Sequence, residues 1–181
     1  ANAGVIIITT KKGKEGKTQV EYNGTVSTAN TAGRIKLFGR EDFLEAGGID
    51  YRHETDWYKE ITRVPVSTEH NIALSGGMKN VDYRASINYK LNQGLAKNSD
   101  FQEINARFAA NQKTLNKRLE LAYDFSYTSV EKSWANYDNL NQAIRANPTM
   151  PIYSDNPKFD KYGGYYESDN FYSWNPVSDI E

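Results

Sequence analysis

Strict two-residue alternation between apolar and polar side chains is the feature that most limits how this chain can fold. From Val81 to Leu91 every odd-numbered residue is apolar, and from Asp82 to Asn92 every even-numbered residue is polar. Successive side chains of a β-strand point to opposite faces. The segment is therefore predicted to be a strand with one apolar and one aqueous surface.

Four further segments repeat this alternation, at 20–26, 71–75, 103–111 and 118–128, which gives about five antiparallel strands. Two short polar stretches, 76–80 and 113–117, are typical of hairpin turns. The stretches 29–67 and 132–181 are long, and 94–99 is intermediate. Short turns at one end of the strands and long loops at the other are typical of outer-membrane barrels.

The long loops contain three short helical patterns. Arg40–Ala46 is followed by Gly47-Gly48, a typical helix end. Thr55 or Asp56 is placed to cap a helix over 57–61. A third helix is predicted over Asn139–Ala146, before Asn147-Pro148. Beyond 147 no clean period is visible.

Tyrosine is unusually abundant, with 13 residues against 7 phenylalanines in a chain that is only 38% hydrophobic. Tyrosine suits surfaces that are apolar on one side and wet on the other. Five tyrosines fall on the predicted strands, as in the aromatic girdles of membrane barrels: Tyr22, Tyr83, Tyr89, Tyr123 and Tyr127. This favours a membrane sheet, whereas a soluble β-barrel or β-sandwich that binds carbohydrate stays the alternative.

Catalytic and cofactor chemistry finds little support. The net charge is −1, which gives no field that favours nucleic acid, and the chain has no cysteine. The two histidines, His53 and His70, lack metal-ligand spacing. Carboxylates such as Glu41 and Asp56 are explained by helix capping. We predict no enzyme, no cofactor and no metal site; an enzyme acting on glycans is a distant third alternative.

The segment Gly4–Thr18 invites comparison with a nucleotide-binding phosphate loop because it ends in Gly16-Lys17-Thr18. The loop requires a glycine five positions earlier, where this chain has Lys11. It also requires a helix afterwards, whereas a strand pattern follows Thr18. A nucleotide site is therefore not predicted.

Aromatic residues in the last long loop are the candidate contacts to a substrate or a partner protein. They lie among asparagines and aspartates, so that aromatic faces and hydrogen-bonding groups occur together. Packing of the loop against its neighbours explains the same residues. The candidates are Trp134, Tyr137, Tyr162, Tyr165, Tyr166, Tyr172 and Trp174.

Four motifs, in order, resemble SusC/RagA-type TonB-dependent outer-membrane transporters. The first is Ala1–Gly13, which is similar to the end of the plug domain in that family and departs from it by the inserted Ala3. Thr55–Trp57 and His70–Gly77 are similar to later landmarks. The fourth motif, Asn147–Tyr153, has Asn175-Pro176 downstream, and the resemblance covers essentially the whole chain.

The resemblance implies an all-β fragment of a transmembrane β-barrel that imports oligosaccharides or peptides across a bacterial outer membrane. It implies contact with outer-membrane lipid, a SusD-like surface lipoprotein as partner, and TonB as energy source through a segment absent here. The implied domains are the end of the plug over 1–16, the first barrel strands over 17–131 and a long extracellular loop over 132–181.

Overall fold

Five strands form one sheet in the computed structural model, which describes residues 16–136, 138–167 and 174–180 together with Gly4, Lys11 and Gly13. The strands are antiparallel and neighbours in sequence are neighbours in the sheet, which confirms the predicted all-β barrel segment. The expected final plug strand over 4–10 lies, except for Gly4, outside the described residues. The strands are β1 (Gly16–Thr28), β2 (Val66–Met78), β3 (Val81–Gln93), β4 (Asp100–Thr114) and β5 (Leu119–Lys132).

The β2–β3 hairpin is tighter than predicted. The strand pairing continues to Met78 opposite Val81, so that Gly76 lies inside β2 and the turn is only Lys79-Asn80. Gly76 is paired with Tyr83, and a Cβ on Gly76 would lie 2.9 Å from the Tyr83 hydroxyl oxygen. Glycine is therefore needed here because the Tyr83 hydroxyl and Thr18 approach the backbone closely, and not as a turn residue.

The described parts of the loops contain three α-helices, α1 (Arg40–Glu45), α2 (Trp57–Ile61) and α3 (Asp138–Arg145), within one residue of the predicted bounds. The Asp56 side chain caps α2 by accepting a hydrogen bond from the Lys59 backbone N–H at 3.1 Å. A 3₁₀ helix over Pro157–Tyr162 was not predicted. One apolar side chain turned inward, that of Phe159, is too few to create a helical period.

The chain divides into two compact units, which we call the sheet unit and the loop unit. Among the described residues of the sheet unit, Ala73 is the one buried hydrophobic residue. The loop unit has its own apolar cluster, formed by Trp57, Ile61, Ala143, Val177 and Ile180. The sheet unit is Ala1–Val26, Thr68–Leu91 and Gln102–Glu131; the loop unit is Ser27–Ser67, Asn92–Phe101 and Lys132–Glu181.

Candidate functional site

One face of the sheet is apolar and exposed. Ile72 is paired with Ile87, so the alternation in neighbouring strands brings apolar side chains to the same side. Ile87 is 58% exposed and Phe125 66%, and both line a shallow groove of about 290 Å³. The residues of this apolar face that are exposed include Val20, Tyr22, Val26, Ile72, Leu74, Met78, Ile87, Ile104, Phe108, Leu119, Tyr123, Phe125 and Tyr127. No described part of the chain covers them.

The opposite face of the sheet, the polar face, carries compensated charges. Three of the four pairs join neighbouring strands, and Arg84 on β3 reaches across β2 to Glu21 on β1, so opposite signs and complementary hydrogen-bonding groups meet across the sheet. The pairs are Arg84 with Glu21 at 3.2 Å, Arg107 with Asp124, Asn111 with Asp82 at 2.8 Å, and Thr128 with Asn105 at 2.7 Å.

Two tyrosine hydroxyls on the apolar face are hydrogen-bonded to polar side chains of neighbouring or nearby strands. The Tyr22 hydroxyl lies 2.8 Å from His70 Nδ1, and the two rings are stacked with centroids 6.1 Å apart. The Tyr83 hydroxyl lies 2.8 Å from Thr18 Oγ1. Because a lost hydrogen bond in hydrocarbon costs several kcal/mol, such pairing lets these tyrosines face an apolar medium.

The predicted aromatic candidates do not form one cluster. Trp134 is 75% exposed and lines a groove with Phe101 and Lys132. Tyr162 is exposed, with the Lys161 amine 4.5 Å from its ring centroid. Tyr137 and Tyr172 lie outside the described residues. As contacts to a ligand, the seven candidates remain predictions.

Three of the candidates take part in packing within the loop unit. The ring centroids of Tyr165 and Tyr153 are 4.9 Å apart. The ring of Tyr166 is 5.0 Å from that of Phe159. Trp174 Nε1 donates to Asn139 Oδ1 at 3.3 Å. This geometry fits the packing explanation for these three residues.

A dense hydrogen-bond network, missed by sequence reasoning, centres on Asn147–Met150, which we call the clasp. Thr149 is fully buried, and its Oγ1 accepts from the Tyr51 backbone N–H at 2.9 Å and lies 3.0 Å from the Ile49 carbonyl oxygen. Trp57 Nε1 donates to the Asn147 carbonyl at 2.9 Å. The Asn-Pro-Thr motif therefore fixes the first long loop to the last one. The motif was the one feature of the sequence that could have indicated this network.

Two ion pairs stabilise the first long loop. Arg40 donates two hydrogen bonds to Asp50, at 2.7 and 3.2 Å, and this guanidinium lowers the pKa of Asp50 below its usual value. Arg34 bonds Asp56 and lowers the pKa of that carboxyl in the same way. Both acids are therefore ionised at neutral pH, and each forms an ion pair with an arginine.

Within residues 16–136, 138–167 and 174–180, no three histidine or acidic side chains converge as metal ligands. The α-helices of this described part are too short and too polar to cross a membrane.

An antiparallel sheet with an exposed apolar face and a charge-paired polar face, joined by short turns and long loops, is the class of structure found in segments of membrane β-barrels. Comparison with known proteins specifies the family. Over 181 residues the sequence is 30% identical to the TonB-dependent receptor SusC of Bacteroides thetaiotaomicron, covering 94% of this chain and 18% of that protein. It is 32% identical over 107 residues to the TonB-dependent receptor P3 of Formosa agariphila, covering 56% of this chain and 11% of that receptor.

Solved structures agree on the fold. The RagAB peptide transporter superposes with a TM-score of 0.55 at 18% identity, over 71% of this chain and 19% of that one. The RagAB peptide importer in its closed-closed state gives a TM-score of 0.52 at 19% identity, over 71% and 19% of the two chains. No protein-family model matches the sequence. The chain thus has the sequence and fold of a segment of the SusC/RagA-type TonB-dependent receptors, and it spans about a fifth of the length of SusC.

Proposed function

We propose that the protein containing this segment is an outer-membrane transporter that imports oligosaccharides or peptides with energy from TonB. The observation that carries the proposal is the exposed apolar face opposite the charge-paired polar face. In water, an apolar surface of this extent destabilises a protein or causes it to associate. Against lipid tails the same surface is favourable.

In this proposal the two faces have separate tasks. The apolar face, with Ile87 and Phe125, contacts lipid, and its tyrosines lie near the headgroups. The polar face, with its Arg84–Glu21 pair, turns toward the barrel interior, where the substrate passes. Residues 1–16 end the plug, 17–131 supply the first barrel strands, and 132–181 form an extracellular loop.

The partners are likewise proposed. The match to SusC and the resemblance of the motifs support TonB dependence and a SusD-like lipoprotein on the extracellular side. The exposed aromatic residues Trp134 and Tyr162 are available for contact with that lipoprotein or with substrate.

The alternative is a soluble carbohydrate-binding barrel or sandwich. Such folds turn their apolar face into a core, whereas here the described residues leave it exposed. The relatives named above are receptors, so the comparisons give no support to a catalytic function.

The test is uptake by cells that carry or lack the full-length receptor, with and without TonB. Labelled oligosaccharides and peptides are expected to enter only when both proteins are present, and the receptor is expected in the detergent-extracted outer membrane. Recovery of the receptor in the soluble fraction, or uptake that is unchanged without TonB, would contradict the proposal.

A further inference from the structure

We infer that a groove at the ends of β3, β4 and β5 is a subsite for a carboxylate-bearing sugar ring; this inference rests on the transport function proposed above. The groove has a volume of about 280 Å³ and lies entirely in the loop unit. Its lining residues are Asn92, Gln93, Gly94, Ser99, Asp100, Phe101, Lys132, Ser133 and Trp134.

The strand register places Phe101 and Lys132 of this groove on the polar face. Asp100 and Ser133 exchange two backbone hydrogen bonds, at 2.8 and 3.2 Å, so they are directly opposite each other. The next residues inward, Phe101 and Lys132, are therefore opposite as well, and the Lys132 Nζ lies 5.4 Å from the Phe101 ring centroid. Counting in twos along β4 and β5 puts both on the side of the Asn105–Thr128 hydrogen bond.

Trp134 supplies an unoccupied aromatic surface. Of the three tryptophans, Trp57 is buried and Trp174 is bonded to Asn139, whereas Trp134 is 75% exposed. The C–H groups on one side of a pyranose ring form an apolar patch, and stacking on an indole removes both surfaces from water. An exposed tryptophan beside hydrogen-bonding groups is therefore suited to hold a sugar ring.

The charge of the groove selects an anionic sugar. The carboxylate of Asp100 is paired with Arg63 at 2.5 Å. Lys132 has no carboxylate within 4.0 Å among the described residues. The uncompensated charge is thus a cation next to the aromatic surface, where it can form a charge-assisted hydrogen bond with a sugar carboxylate.

The wall of the groove is fixed before any ligand binds. Arg63 Nε donates to the Gly94 carbonyl at 3.1 Å, and the Gly94 N–H donates to the Ser99 carbonyl at 2.6 Å. A Cβ on Gly94 would lie 2.4 Å from Ser99 Oγ, so the two sides of the hairpin are in close contact. Ligand binding costs less conformational entropy when the site is already ordered.

Sugar is favoured over peptide because the groove offers several small polar groups and no deep apolar pocket. The exposed Asn92 presents an amide group on the same face of the sheet as Lys132, which suits the hydroxyls of a sugar ring. An acidic peptide would instead require a pocket for its neighbouring side chains.

The experiment is calorimetric titration of the full-length receptor in detergent. The probes are oligogalacturonate, its methyl-esterified and uncharged counterpart, and polyglutamate. Wild type is expected to bind oligogalacturonate more tightly than the ester. Lys132→Gln should weaken oligogalacturonate binding about tenfold or more while leaving the ester unaffected, because only the charge-assisted bond is lost. Trp134→Ala should weaken both sugars.

Lys158→Gln is the matched control, because Lys158 is also an exposed lysine over a phenylalanine ring, with Nζ 4.5 Å from the Phe159 centroid. It should bind like wild type. The inference is overturned if wild type binds neither sugar or binds both equally, if Lys132→Gln changes nothing, or if polyglutamate binds with the same dependence on Lys132. TonB-dependent uptake of another substrate would then leave the proposed function intact, whereas loss of all TonB-dependent uptake by wild type would overturn both.

Discussion

The two units use apolar residues in opposite ways. In the loop unit Trp57, Ile61 and Val177 are buried together, as in a water-soluble domain. In the sheet unit Ile87 on β3 and Phe125 on β5 are exposed, although both strands are hydrogen-bonded into the sheet. A single chain therefore contains one unit with a buried apolar core and one unit whose apolar residues are exposed. Under the proposed function, each unit is adapted to its own solvent, water for the loops and lipid for one face of the sheet.

The largest effect is expected where the conventional core is disrupted. Trp57→Ala leaves a cavity beside Ile61 and removes the hydrogen bond to the Asn147 carbonyl, so the free energy of unfolding of the loop unit should fall by about 3–5 kcal/mol. Limited proteolysis and hydrogen exchange should detect the loss in loop peptides. Phe38→Ala, at an exposed aromatic residue of the same unit, is the control and should have little effect.

The next largest effect tests the apolar face. Ile87→Lys in the full-length receptor should lower its folding stability in lipid vesicles by about 2–4 kcal/mol, because Ile87 is at the middle of β3 and is therefore expected near the bilayer midplane. Ser86→Lys, at the neighbouring residue on the opposite, polar face, should be tolerated. The folding stability of each variant is measured by urea unfolding, with the folded fraction read from heat-dependent gel mobility. Equal tolerance at positions 86 and 87 would contradict the assignment of the faces.

A smaller effect is expected at the clasp. Thr149→Ala removes the acceptor for the Tyr51 N–H, and leaving that partly buried donor unpaired should destabilise the loop unit by about 1 kcal/mol. Thr149→Ser retains the hydroxyl and should preserve most of the stability. If the alanine and serine variants unfold alike, the hydroxyl is not the important group.

The smallest effect concerns pH and is confined to the loops. The pKa values of Asp50 and Asp56 are lowered by their arginine partners, so both ion pairs stabilise the loop unit at pH values above the acids' ordinary pKa of 3.8. This contribution is lost as the pH falls below that value through the lowered pKa. Loop protection should be constant from pH 6 to about 8 and should decline below about 4, less steeply in Asp56→Asn. A loss of hydrogen-exchange protection in the loops at pH 6 would contradict this assignment of the two ion pairs.

The sequence predicted the sheet well because a two-residue period is a local signal. The alternation at 80–92 located β3 to within one residue, and Asp56 was correctly proposed as a helix cap. The glycines at 76–77 misled the prediction of the turn, because close packing beneath Tyr83 and chain reversal both select glycine. The clasp was missed because Thr149 and Tyr51 are 98 residues apart in sequence, and no local pattern encodes that contact.

The candidate aromatic residues show the same limit. Composition marked Trp134 and Trp174 equally, although the first is open and the second is bonded to Asn139 within the loop unit. Only tertiary contacts separate residues that pack a loop from residues that are free to bind.

The most direct measurement uses the absence of cysteine from the chain. Single cysteines placed from Val81 to Leu91 in an otherwise cysteine-free receptor would carry spin labels, with the receptor in lipid vesicles. We predict that labels at odd positions, including Ile87, are accessible to lipid-soluble oxygen, and that labels at even positions, including Ser86, are accessible to a water-soluble nickel complex. Oxygen accessibility without a two-residue period, or with the even positions in lipid, would contradict the account.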